Sequence, residues 1–157
     1  MKNEGKGSTR NTKFIKASPE KIYDAFTDPV ALAAWLAPGE MTGKVHHFDL
    51  KVGGGYSMSL FYPSSDKTSR GKTAKKEDRY TARFVELTPS AKIIQAINFE
   101  SDDPAFAGEM IMDVTLEKAD GGTNVICIFR NIPSGIGPED NEKGTSLTLD
   151  KLARYVE

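Results

Sequence analysis

One cysteine, Cys127, is all that 157 residues carry. A single thiol closes no internal disulfide and builds no cysteine-based metal cluster, which excludes the small stapled and zinc-centred folds. Net charge is equally scarce, with 21 Lys and Arg against 22 Asp and Glu. No electrostatic footprint for a nucleic acid or an acidic membrane follows from that balance. No apolar run approaches the ~18 residues of a membrane span, and Met1 to Arg10 is polar where a secretory signal would be apolar. The expectation is therefore a cytoplasmic protein with no membrane insertion, no nucleic-acid partner, no metal and no cofactor. Hydrophobic residues make up 38% of the chain, enough for one domain over 9–157 that buries about two-thirds of its unfolded surface. Residues 1–8 hold nothing apolar after Met1 and read as a loose, disordered tail.

The local signals alternate between two periods. A first strand is predicted over 9–17, carrying Phe14 and Ile15. Ser18 followed by Pro19 is a helix start, because serine caps free N–H groups and proline fits the first helical position. Ile22, Tyr23, Ala25 and Phe26 continue that helix until Asp28 and Pro29 end it and open a second one over 30–36. Six strands are then predicted over 41–50, 56–62, 79–87, 92–99, 109–118 and 123–132, each bounded by turn residues. Tyr56, Met58, Leu60 and Tyr62 alternate with Ser57 and Ser59, which predicts one apolar and one wet face and hence antiparallel pairing.

A last helix begins at Pro138. Leu149, Leu152, Ala153 and Val156 form an apolar stripe along its second half. Continued backwards, the stripe meets Thr148, Thr145, Gly144 and Asn141, which are small or polar. Large core side chains are absent from that half, so the helix is predicted to overhang space that it does not fill.

Four segments carry a family resemblance. The run from Ser18 to Pro29 with Trp35 resembles the opening of the START-like (SRPBCC) helix-grip superfamily, and specifically its branch named after activators of the heat-shock-protein-90 ATPase. Residues 48–56, around Gly53, Gly54 and Gly55, resemble the turn between that branch's second and third strands. Residues 84–89 resemble its fourth-strand exit, and Gly121, Gly122 and Thr123 its last hairpin. The resemblance implies an α+β helix-grip fold: a curved antiparallel sheet of about seven strands around a long C-terminal helix, with two short helices after the first strand. It also implies a hydrophobic tunnel between sheet and helix. Superfamily members bind lipids, sterols, polyketides or plant hormones there, and some catalyse cyclisation or dehydration.

Binding of a small hydrophobic or amphipathic ligand is thus the first expectation. Its predicted contacts are Trp35, Tyr56, Met58, Leu60, Tyr62, Phe84, Met110, Met112, Thr145 and Thr148. Core packing alone also accounts for the aromatic and methionine residues in that set. The alternative is an enzyme of cyclase, dehydratase or hydrolase type, drawing its acid and base from His46 or His47, Asp49, Tyr56, Tyr80 and Glu109. A chaperone partner is a third reading, and a homodimer is open. His46 and His47 are adjacent, so on a regular strand they point to opposite faces, which is poor metal spacing. Cys127 alternates with Val125 and Phe129 and is predicted to face inward as a small hydrophobe. Gly71, Lys72 and Thr73 resemble the end of a phosphate loop, but Asp66 stands where the leading glycine belongs. The polar loop around them, 64–78, is read as solvated, with gating of the tunnel mouth as the sharper alternative.

Overall fold

A computed structural model describes residues 7–63 and 77–157. Strand β1 (Gly7–Ile15) is followed by helices α1 (Pro19–Phe26) and α2 (Pro29–Trp35). Strands β2 (Thr42–Asp49), β3 (Gly55–Phe61), β4 (Glu77–Thr88), β5 (Lys92–Phe99), β6 (Met110–Ala119) and β7 (Gly122–Ile132) come next, and α3 (Pro138–Val156) closes the chain. All seven strands form one antiparallel sheet in the order β1-β7-β6-β5-β4-β3-β2. The two short helices carry the chain from one sheet edge to the other. Five consecutive antiparallel connections then walk it back until β7 pairs with β1. The result is the curved helix-grip architecture expected from the sequence.

Capping explains why the short helices start where they do. Lys21 N donates to Ser18 Oγ at 3.1 Å and Val30 N to Asp28 Oδ1 at 3.0 Å, each cap followed by proline in the first turn. Ile22, Phe26, Leu32 and Trp35 are buried against the concave face of the sheet, beside Ile15, Phe84, Ile93 and Leu152. The three-glycine turn is demanded by geometry. Gly53 has a positive φ of 89°, and a Cβ on Gly55 would lie 1.8 Å from the Ala82 carbonyl oxygen.

The structure departs from expectation in three places here. Gly7 and Ser8 belong to β1, so the strand reaches into the stretch read as tail, and residues 1–6 lie outside the described residues. Ser57 and Ser59, expected on a wet face, are buried because the His46 and His47 side chains lie over them. Those two histidines share a face instead of opposing one another. The β2–β3 register shifts between Val45 and His47, and a bulge re-aims one side chain of the pair. The 64–78 loop falls almost wholly outside the described residues, as do Asp66, Gly71, Lys72 and Thr73.

Candidate functional site: a cavity beneath the last helix

The concave face of the sheet, α2 and the first half of α3 border a partly open cavity of about 560 Å³. Its roof is α3, which presents Asp140, Asn141, Gly144, Thr145, Thr148 and Leu149. Leu60, Tyr62, Asp78, Tyr80, Ile97, Phe99, Met110, Met112, Cys127 and Phe129 form the sheet wall. Phe26, Trp35, Leu36 and Pro38 close one side, while Phe106, Gly135 and Ile136 stand on another. The geometry follows from the small residues of the helix. A Cβ on Gly144 would meet nothing within 4 Å.

α3 also holds one wall in place. Thr148 Oγ1 donates to Leu36 O at 3.0 Å, and Lys151 Nζ donates to Ala37 O at 2.6 Å and Met41 O at 3.3 Å. The Leu36 and Ala37 carbonyls lie just past the end of α2, where helix termini leave acceptors in need of partners, and Met41 stands at the entry to β2. Burial, with a contribution from Arg154, lowers the Lys151 ammonium below its ordinary 10.5. On the closed side, Trp35 Nε1 donates to Ala25 O at 2.9 Å, and the indole meets the Phe26 ring edge-on at 4.7 Å.

Seven of the ten predicted contact residues line the cavity: Trp35, Leu60, Tyr62, Met110, Met112, Thr145 and Thr148. Tyr56, Met58 and Phe84 do not. They share the concave face but lie outside the lining: Tyr56 and Phe84 cluster with Phe48, the three ring centroids 5.5 to 5.9 Å apart, and Met58 Sδ accepts from Tyr80 Oη. Cys127 faces the cavity, as its alternation implied. Asp78, Phe99 and Phe106 also line the cavity, outside the predicted set. The turn signals place Asp78 at the end of the preceding loop, yet stepping back by twos from Phe84 through Ala82 and Tyr80 arrives at it.

Polar chemistry concentrates on the sheet wall. Tyr62 Oη donates to Asp78 Oδ2 at 3.1 Å, and Asp78 is only 3% exposed. Tyr80 Oη donates to Met58 Sδ at 3.6 Å and lies 3.4 Å from Tyr56 Oη, which donates to Gln95 Oε1 at 3.0 Å. Burial pushes the Tyr56 phenol up to about 12, against weaker opposition from its Tyr80 and Gln95 hydrogen bonds. Tyr80 is raised well above its ordinary 10.0, by burial first and then by Tyr56. Cys127 rises to about 12, through burial and then the Asp113 charge. All three are therefore neutral at neutral pH.

The remaining acid–base candidates lie elsewhere. His46 Nε2 contacts Ser59 Oγ at 2.8 Å, and that hydroxyl donates to Glu77 Oε2 at 2.5 Å, away from the cavity lining. His47 Nδ1 contacts Ser57 Oγ at 3.2 Å. Asp49 is exposed beside Lys51, and Glu109 pairs with Arg83 at 3.3 Å. The bulge in β2 and the outward parity of these positions remove them from the cavity. Among the described residues no group of three or more His, Cys, Asp or Glu could hold a metal ion.

Comparison with known proteins agrees with this architecture. A family model described as Activator of Hsp90 ATPase homolog 1-like protein matches residues 16–157. A crystal structure of a protein from Chromobacterium violaceum is 31% identical, with a TM-score of 0.83 over 96% of this chain and 98% of that one. The solution structure of an AHSA1-like protein from Aeromonas hydrophila shares the fold at 21% identity, with a TM-score of 0.70 and coverage of 96% and 92%. A protein from Staphylococcus epidermidis shares it at 18% identity, with a TM-score of 0.74 and coverage of 99% and 92%. No curated protein matches the chain.

Proposed function

Because this chain belongs to the Activator of Hsp90 ATPase homolog 1-like family and holds a wide, mostly apolar and partly open cavity, we propose that it binds a small hydrophobic or amphipathic molecule beneath α3. The observation that carries this reading is the pairing of two surfaces. An apolar wall of Leu60, Ile97, Phe99, Met110, Met112 and Phe129 faces a helix that offers it Gly144, Thr145 and Thr148. A volume of about 560 Å³ lies within the range of small-molecule sites, which are mostly apolar with a few placed polar groups. Glycine at position 144 is itself suggestive, since alanine would favour the helix and clash with nothing there. Retaining a less stable residue at a cavity-facing position fits selection for the space.

The seven strands and three helices share one core, which supports reading 9–157 as a single domain. Among the described residues no helix is long and apolar enough to cross a membrane. The lone free thiol of Cys127 supports a cytoplasmic setting. Catalysis is not proposed, because His46, His47, Asp49 and Glu109 sit away from the cavity. No residue of the cavity speaks for a chaperone partner or a homodimer, and neither is proposed.

Thermal denaturation against a panel of lipids, sterols and aromatic compounds tests the reading. A ligand at a hundred times its Kd adds about 2.7 kcal/mol, a rise of several degrees in Tm for a domain of this size. The Thr148→Phe protein, with the space filled, should lose that rise. A flat response to the whole panel would remove the receptor role.

A further inference from the structure

We infer that the molecule bound here carries a flat aromatic ring system, and that saturated rings and alkyl chains of the same carbon count bind less well. This rests on the binding role proposed above and adds the chemical class. Apolar residue types are segregated in the structure. Half of the chain's aromatic side chains border this one cavity, among them Trp35, Tyr80, Phe99, Phe106 and Phe129. Branched aliphatics are distributed the other way. Among the described residues of the buried core only Ile97 and Leu149 of that type border the cavity, while Ile15, Ile22, Leu32, Ile93 and Leu152 fill the core away from it. Close packing alone does not require that division, because interiors reach the same density with aliphatic side chains as with rings.

The rings are also arranged for a flat guest. Tyr80, Phe99 and Phe106 form a series along the wall, with centroids 6.3 Å apart at both steps and interplanar angles of 67° and 65°. Phe26 and Trp35 meet at 78° on another side. A flat ring laid against the face of one member of such a series turns its own edge toward the next. Offset stacking and edge-to-face contact are the two arrangements that the aromatic quadrupole favours, and a saturated guest gains neither. Met110 and Met112 supply sulfur, which makes favourable contact at ring edges. Transfer from water acts in the opposite direction. A saturated ring or alkyl chain of equal carbon number exposes more apolar surface, so a cavity driven by area alone would prefer it. Preference for the aromatic guest is therefore a signature that plain hydrophobic burial does not produce.

Two triads of equal carbon count test this: phenylethanol, cyclohexylethanol and octanol, and phenylbutanol, cyclohexylbutanol and decanol. The shared hydroxyl keeps the head group constant. Each alcohol is titrated with Trp35 emission and Tm as readouts, since Trp35 is the chain's one tryptophan and lies in the cavity wall. The aromatic member of each triad should bind about threefold or more tightly than either saturated one. Phe99→Leu and Phe106→Leu, which keep an apolar side chain and remove a ring, should each bring that ratio toward one. A saturated member that binds wild type as well as its aromatic counterpart overturns the inference and leaves the binding role standing. A ratio unchanged in both variants overturns the part given to the Tyr80, Phe99 and Phe106 series, and the wild-type comparison decides should a variant not fold. No response to either triad or to the broader panel overturns both readings.

Discussion

At Gly144 and Gly55 the same residue type answers opposite needs. A Cβ at 144 enters open space above the cavity, so Gly144→Ala should stabilise the protein by about 0.5–1 kcal/mol, the propensity difference in a helix interior. Urea denaturation would show it as a raised midpoint with unchanged slope. A Cβ at 55 meets the Ala82 carbonyl at 1.8 Å, where backbone must move, so Gly55→Ala should cost about 3 kcal/mol or more. Asp113 is a third case. It is 8% exposed on β6 and receives Lys92 Nζ at 3.0 Å and Arg130 at 2.8 Å. Burial alone would raise its carboxyl, but the hydrogen bonds from Arg130 and Lys92 prevail and hold it below the ordinary 3.8. A depressed carboxyl contributes stability that is complete above 3.8 and disappears as pH falls through its lower folded value. Asp113→Asn should flatten the acid limb of the pH–stability curve and cost about 1 kcal/mol at neutral pH.

Among the elements, α3 does two jobs with its two halves. Leu149, Leu152, Ala153 and Val156 anchor it in the core, while the first half roofs the cavity. Thr148 and Lys151, one turn apart, also hold the chain leaving α2. Thr148→Val and Lys151→Met should each lose about 1–2 kcal/mol, the worth of a partly buried hydrogen bond with or without charge. Both act on one loop, so a double-mutant cycle should show coupling of about 0.5 kcal/mol or more. Strict additivity would mean that the helix does not brace this wall as a unit.

For the molecule as a whole, the buried neutral acids set the alkaline limit. Cys127, Tyr56 and Tyr80 all have raised values in the folded state. Their stabilisation is complete below the ordinary 9.0 and 10.0 and is lost as pH climbs toward the folded values. The urea midpoint should therefore fall from about pH 9 upward, and Cys127→Ala should delay the onset of that fall. With Asp113 acting in acid, stability should be broadest between these limits.

Strand periodicity, two proline-led helix starts and the apolar stripe of α3 were legible in the chain because each depends on neighbours within one or two turns. So was the change from large to small residues along α3, from which an overhang follows directly. Three things depended on packing between distant segments. The β2 bulge turns His46 and His47 to one face, Tyr56 and Phe84 pack with Phe48 away from the cavity lining, and β4 begins early enough to bring Asp78 inside. Period-2 alternation assigns a side chain to a face only while register holds, and register is a property of the partner strand. Which concave residues stay open is decided by the element that lies across them, a fact written in no single stretch of the chain.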